Sequence, residues 1–142
     1  MGAAGPASPL ISGVLEAALY VDDLDAANTF YGDLLRLEKI IEVPGRHVFY
    51  RAGETVVLLF IAEKTRVPTD NAKLPVPPHG ADGPGHLCFA ADRAALIGWR
   101  DKLEKANIEI EADFEWPNGA RSIYIRDPAG NSIEFAEPKL WA

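Results

Sequence analysis

The chain is poor in several things, and each scarcity removes a class of protein. It holds one cysteine, Cys88, in 142 residues. An intrachain disulfide is therefore impossible, and a reducing cytoplasm is the expected home. No apolar run approaches the roughly 18 residues that a membrane-spanning helix needs, so no membrane is expected as a partner. Positive charge is scarce: 14 Lys and Arg face 21 Asp and Glu, a net charge of −7 at pH 7. A binder of phosphate backbones needs the opposite balance, so nucleic acid is not an expected partner either. The opening residues, Met1 to Pro9, contain no Lys or Arg and no long apolar stretch, and do not read as a secretory signal. Pro6 also breaks the myristoylation pattern. What is present is ordinary for a folded chain. Apolar residues make up 48% and charged residues 25%, at a length that suits one domain.

Residues 1–12 are small and Pro-containing, and are expected to form a loose arm. Gly13–Tyr20 reads as a buried strand. Asp22 and Asp23 then offer a helix cap. In the following LDAANTFYGDLLRL, residues Ala27, Phe30, Tyr31, Leu34 and Leu35 share one helical face. Three strand-like runs come next, Glu38–Val43, Arg46–Arg51 and Thr55–Ile61, punctuated by Pro44-Gly45 and Ala52-Gly53. Residues 62–83 carry Pro68, Pro75, Pro77 and Pro78, and are expected to be a linker or flap with little regular structure.

The pattern then restarts. Gly85–Ala91 is a strand, Asp92 caps a helix through Ala106, and Ile108–Glu115, Arg121–Arg126 and Ser132–Glu137 are strands. Asp127-Pro-Ala-Gly-Asn131 is a tight turn. Glu16 stands six residues before Asp22, and His86 six before Asp92. An internal duplication explains the shared order and spacing. Module 1 covers about 13–61 and module 2 about 84–138, within a single domain over 13–138.

Side chains alternate across a strand. Glu16, Ala18 and Tyr20 oppose Leu15, Ala17 and Leu19. His86, Cys88 and Ala90 oppose Leu87 and Phe89, and Ser132, Glu134 and Ala136 oppose Ile133 and Phe135. Each strand has an apolar face for helices and one ionisable residue mid-strand on the other face. A curved sheet would bring Glu16, His86 and Glu134 into one trough. An imidazole and two carboxylates make a three-ligand site for a divalent metal with open positions. The plainer alternative is a solvated carboxylate and an ordinary hydrogen-bonded histidine.

The segments LEAALYVDDLDAANTFYGDLLRL, GPGHLCFAAD and RSIYIRDPAGNSIEFAEP together resemble the vicinal oxygen chelate superfamily, which includes glyoxalases, bleomycin-resistance proteins and dioxygenases. The resemblance runs over roughly 13–138. It implies an α+β fold of two tandem βαβββ modules, forming an eight-stranded cupped mixed sheet with helices on the outer face, and a homodimer. Glyoxalase I enzymes place metal ligands on strands one, four, five and eight. Those positions fall on Glu16, Leu58, His86 and Glu134. Leu58 can neither bind a metal nor accept a proton. The remaining three positions are those that extradiol dioxygenases and fosfomycin-modifying transferases use. A carboxylate at position 16 favours harder ions such as Mn, Mg or Fe and leaves Zn and Ni open, so that a divalent ion, Mn, Fe, Ni or Zn, is the expected cofactor.

Glu134 and Tyr124 are the expected catalytic groups: Glu134 as ligand or base, with Glu16 as the other carboxylate able to shift to that role, and Tyr124 as donor to a substrate oxyanion. The Tyr124 role follows from the resemblance; packing is its alternative. His47, Tyr50, Trp116 and Arg121 are candidate substrate contacts, each with a structural alternative as satisfied polar group, core aromatic or exposed strand arginine. His79, in the Pro-rich segment, reads as a solvated loop residue or as a cover over a ligand. The implied activity is lyase, isomerase or ring-cleaving dioxygenase chemistry on a small oxygen-chelating substrate. The alternative is a non-catalytic drug- or metabolite-binding protein of the bleomycin-resistance kind.

Overall fold

The computed structural model describes Gly5 and residues 8–142; the remainder of the expected arm over 1–12 lies outside the described residues. The fold is α+β, with eight strands divided between two four-stranded mixed sheets. In module 1, β1 (Glu16–Tyr20) leads into α1 (Leu24–Ala27) and a continuing π-helical segment, Asn28–Leu34. Strands β2 (Glu38–Val43), β3 (His47–Ala52) and β4 (Thr55–Phe60) follow. The sheet order is β1-β4-β3-β2, with β1 parallel to β4 and the other pairs antiparallel. A short α2 (Ala62–Thr65) precedes the Pro-rich connection. Module 2 repeats the plan: β5 (His86–Ala90), α3 (Arg93–Lys105), β6 (Ala112–Glu115), β7 (Arg121–Arg126) and β8 (Ser132–Ala136), in the order β5-β8-β7-β6. The eight strands thus form two separate ladders within one chain.

Asp23 and Asp92 start the helices, their carboxylates accepting from Asp25 N and Ala95 N at 2.8 Å each. The first helix is not the uniform α-helix that the periodicity predicts. Leu35 N bonds Phe30 O, five residues back, at 2.9 Å. The wider turn lets the adjacent rings of Phe30 and Tyr31 both face inward, edge-on with centroids 4.8 Å apart. Gly32 belongs to the same adjustment, because a Cβ there would sit 3.0 Å from the Tyr50 hydroxyl. A second difference is that β6 begins at Ala112 rather than Ile108. Asn107 takes φ +57° and Ile108 N caps α3 by bonding Leu103 O, so the chain leaves the helix before it can pair.

One core joins the modules: Leu19, Phe30, Tyr31, Val57 and Leu59 pack in the same cluster as Leu96, Leu103, Ile123, Ile125 and Phe135. Each fully buried side chain of this size contributes about 1.5–3 kcal/mol. The polar joint is the Asp127–Asn131 turn. Asp127 accepts from the Tyr31 hydroxyl at 2.6 Å, and Asn131 donates to Tyr20 O at 2.9 Å while accepting from Gly85 N at 2.7 Å. Burial and Asp127 together push the Tyr31 phenol above its ordinary range. With the apolar faces of both sheets turned to this shared core, the polar face of each sheet is left open.

Candidate metal and substrate site

The open face of module 2 collects the even-numbered residues of β5, β7 and β8. Register sets Glu134 between Cys88 and Tyr124. Glu134 is buried, and its Oε2 accepts from Ser122 Oγ at 2.6 Å. Ser122 Oγ in turn accepts from the Trp116 indole at 2.7 Å. This relay fixes the carboxylate and leaves Oε1 free to face His86. His86 Nδ1 lies 3.1 Å from Ser132 O, and a carbonyl only accepts, so Nδ1 carries the proton. In the neutral imidazole the lone pair is then on Nε2, which lies 3.3 Å from Glu134 Oε1; in the protonated ring the same contact is an ion pair. Two electron-pair donors held face to face in this way suit a shared cation, and their outer atoms already have their orienting partners. His86 keeps 51% of its side chain exposed while Glu134 keeps 6%, so the pair opens to solvent on the imidazole side.

Tyr124 stands beside this pair, its ring stacked on His86 (6.1 Å) and on Phe114 (5.9 Å). Burial, with Glu134 adding to it, pushes its phenol up to about 12, so the proton stays on at neutral pH. Cys88 is on the same face. Burial and Glu134 raise its thiol to about 12, which makes it a poor nucleophile.

Glu16 is exposed on the open face of module 1, where it borders a cavity of about 620 Å³ together with Arg46, His47, Phe49, Leu58 and Phe60. Among the described residues, no three His, Cys, Asp or Glu side chains come together as a metal group. One chain therefore brings His86 and Glu134 together and holds Glu16 on the other sheet.

Two of the expected substrate contacts lie on the faces of their strands opposite the open ones. Tyr50 is fully buried beneath the π-helical segment, its hydroxyl bonded to Asn28, because alternation puts it opposite His47 and Phe49. Arg121 is opposite Tyr124; its guanidinium is held in two bonds by Asp113, at 2.8 and 2.7 Å. His47 and Trp116 do reach the open faces. His79 packs over module 1, its Nδ1 2.7 Å from the Tyr20 hydroxyl. Ser122 and Ser132, which orient Glu134 and His86, were missed in the sequence. The alternation that singles out Tyr124 and Glu134 also puts these serines on the same face.

The family description Glyoxalase/Bleomycin resistance protein/Dioxygenase superfamily matches residues 13–135. The chain belongs to this superfamily. Its structure is similar to that of a lactoylglutathione lyase from Agrobacterium tumefaciens, with 46% identity, TM-score 0.89, and coverage of 93% of this chain and 98% of that one. A glyoxalase/dioxygenase from Nostoc punctiforme is similar at 25% identity and TM-score 0.64, covering 93% and 97%. A glyoxalase/bleomycin resistance protein/dioxygenase from Nocardioides shares the fold at 20% identity and TM-score 0.68, covering 92% and 85%. No curated protein matches. No helix among the described residues is long and apolar enough to cross a membrane.

Proposed function

We propose that this glyoxalase-superfamily protein is a divalent-metal-dependent lyase or isomerase acting on a small substrate with two neighbouring oxygens. The observation that carries the reading is the facing pair His86 Nε2 and Glu134 Oε1, 3.3 Å apart and anchored from behind. Glu16 completes the ligand set from a second copy of the chain, since one copy keeps it on a different sheet. Mn, Fe, Ni and Zn are the candidate ions for an imidazole with two carboxylates. The bound ion supplies Lewis-acid polarisation of a substrate oxygen.

The rest is the work of side chains. Glu134 or Glu16 takes a proton from the carbon beside the substrate carbonyl and returns it to the neighbouring carbon, so no atom is gained or lost. Tyr124, protonated at neutral pH, donates to the oxyanion formed between these steps. Phe114 and Trp116, edge-on at 4.8 Å, give an apolar wall beside it. Leu58 lines the opposite half and offers no base, which restricts proton transfer to the two glutamates. The name of the Agrobacterium relative supports lyase chemistry over ring-opening oxygenation, and makes lactoylglutathione the first substrate to try.

The test is elemental analysis of protein purified without chelator or affinity metal. Near-stoichiometric Mn, Fe, Ni or Zn is expected in wild type, with a loss of tenfold or more in His86→Ala and Glu134→Ala (about 1.4 kcal/mol of affinity per tenfold). A wild type that retains no divalent ion and gains no thermal stability from any would overturn the reading. A ligand-sequestering groove would then be the better account.

A further inference from the structure

Module 1's open face carries features that metal binding does not use. Arg46, directly before β3, donates from Nη1 to His47 Nδ1 at 2.7 Å. Among the described residues it forms no ion pair. Its remaining N–H groups form a fork that suits a carboxylate. Because Nδ1 accepts from a guanidinium, the His47 proton resides on Nε2, giving a further neutral donor. Burial, then Arg46, holds His47 below its usual range, in keeping with that form. Beside them lies a flat floor: His47 stacks on Phe49 with centroids 4.3 Å apart at 13°, and Phe60 meets both rings edge-on.

Strand register turns this face into a ruler. His47 pairs with Phe60, Phe49 with Leu58, and Phe60 with Tyr20, while Leu58 pairs with Ala18 and Val56 with Glu16. The Arg46–His47 end therefore lies four residues from Glu16 along the strand direction, about 13 Å at 3.3 Å per residue. Between the two ends the floor is apolar: Phe49, Leu58 and Ala18. Leu58 thus acquires a purpose at a position where it can hold no metal.

We propose that this cleft selects an elongated substrate with a remote carboxylate: the acid group pairs with Arg46, and a flat apolar body spans Phe49 and Leu58. The reacting oxygens then reach the Glu16 end. This rests on the proposed metal-dependent reading for the reacting end only; carboxylate recognition itself needs no metal.

The experiment is therefore run on the metal-free protein, by calorimetric or ligand-observed NMR titration with biphenyl-4-carboxylate and its matched amide. Wild type is expected to prefer the carboxylate by about tenfold, the scale of one charge-assisted fork. Arg46→Met, which keeps the apolar stem, is expected to bind both probes equally, and Phe49→Ala to weaken both together. Equal binding of the two probes by wild type, or a carboxylate preference that survives in Arg46→Met, overturns the proposal. Neither result depends on metal content, so failure of the metal reading would be seen separately.

Discussion

The two modules share strand order, pairing and a capping aspartate, yet their open faces are built differently. In module 2 the key carboxylate is buried and held by a serine, itself held by an indole. In module 1 the position matching Glu134 is Leu58, the carboxylate is the exposed Glu16 on the first strand, and aromatic rings form the floor. The framework behind each face differs too. Arg93 bridges Glu137 and Glu115, and Asp113 takes Arg100 and Arg121, all in module 2. Module 1 has the exposed pair Lys39–Glu42. Duplicated scaffolds can divide a task in this way: one face rigid and chemically poised, the other broad and shaped for a ligand body.

The strongest way to break this division is to separate the halves onto different chains. Glu16→Ala and His86→Ala proteins are each expected to lack activity and retained metal. Mixed and refolded together, they should recover about a quarter of wild-type metal, since half the dimers are mixed and one of two sites in each is intact. No recovery, with mixed dimers verified by mass spectrometry, would mean that the two halves do not meet across copies.

A smaller effect is expected at the joint between modules. Asp127→Ala strips partners from the Tyr31 hydroxyl, two backbone N–H groups and the Asn131 amide. Unfolding by urea should show a loss of about 3 kcal/mol, because these donors become buried and unsatisfied. Metal bound per folded molecule should change little; a selective loss of metal would mean that the joint also shapes the site.

The smallest effect concerns acid. The Arg93 guanidinium, helped by the Arg121 N–H, holds the Glu137 carboxyl down to about 2, against an ordinary value near 4.3. A depressed carboxyl stabilises the fold above its unfolded value, and that contribution fades as pH falls towards 2. The Tm gap between wild type and Glu137→Gln should be full at pH 6 and narrow steadily below pH 4. A gap that does not change with pH would assign the effect to packing.

Much of this was legible in the sequence. The restarted pattern, the capping aspartates and the Asp127–Asn131 turn all appear in the structure, and alternation put His86 and Glu134 on one face. Alternation also contained its own warning: His47 and Tyr50 differ by three positions and cannot share a face, nor can Arg121 and Tyr124. The structure accordingly places Tyr50 and Arg121 away from the open faces. Other features leave no local trace. The π-helical turn depends on Tyr50 arriving beneath Gly32 from another strand. The division of eight strands into two ladders depends on how the modules dock, which periodicity within a strand does not encode.

The DPAGN turn, which made the family visible, touches neither His86 nor Glu134 with a side chain. Its side chains reach the backbone before β5, the end of β1 and the first helix of the other module. It works as a keystone. A substitution there is a lesion at a distance, loosening the seam between the half-molecules while leaving each open face with its own side chains. Turn and chemistry can accordingly vary independently, so relatives that share this fingerprint share a posture and need not share a reaction.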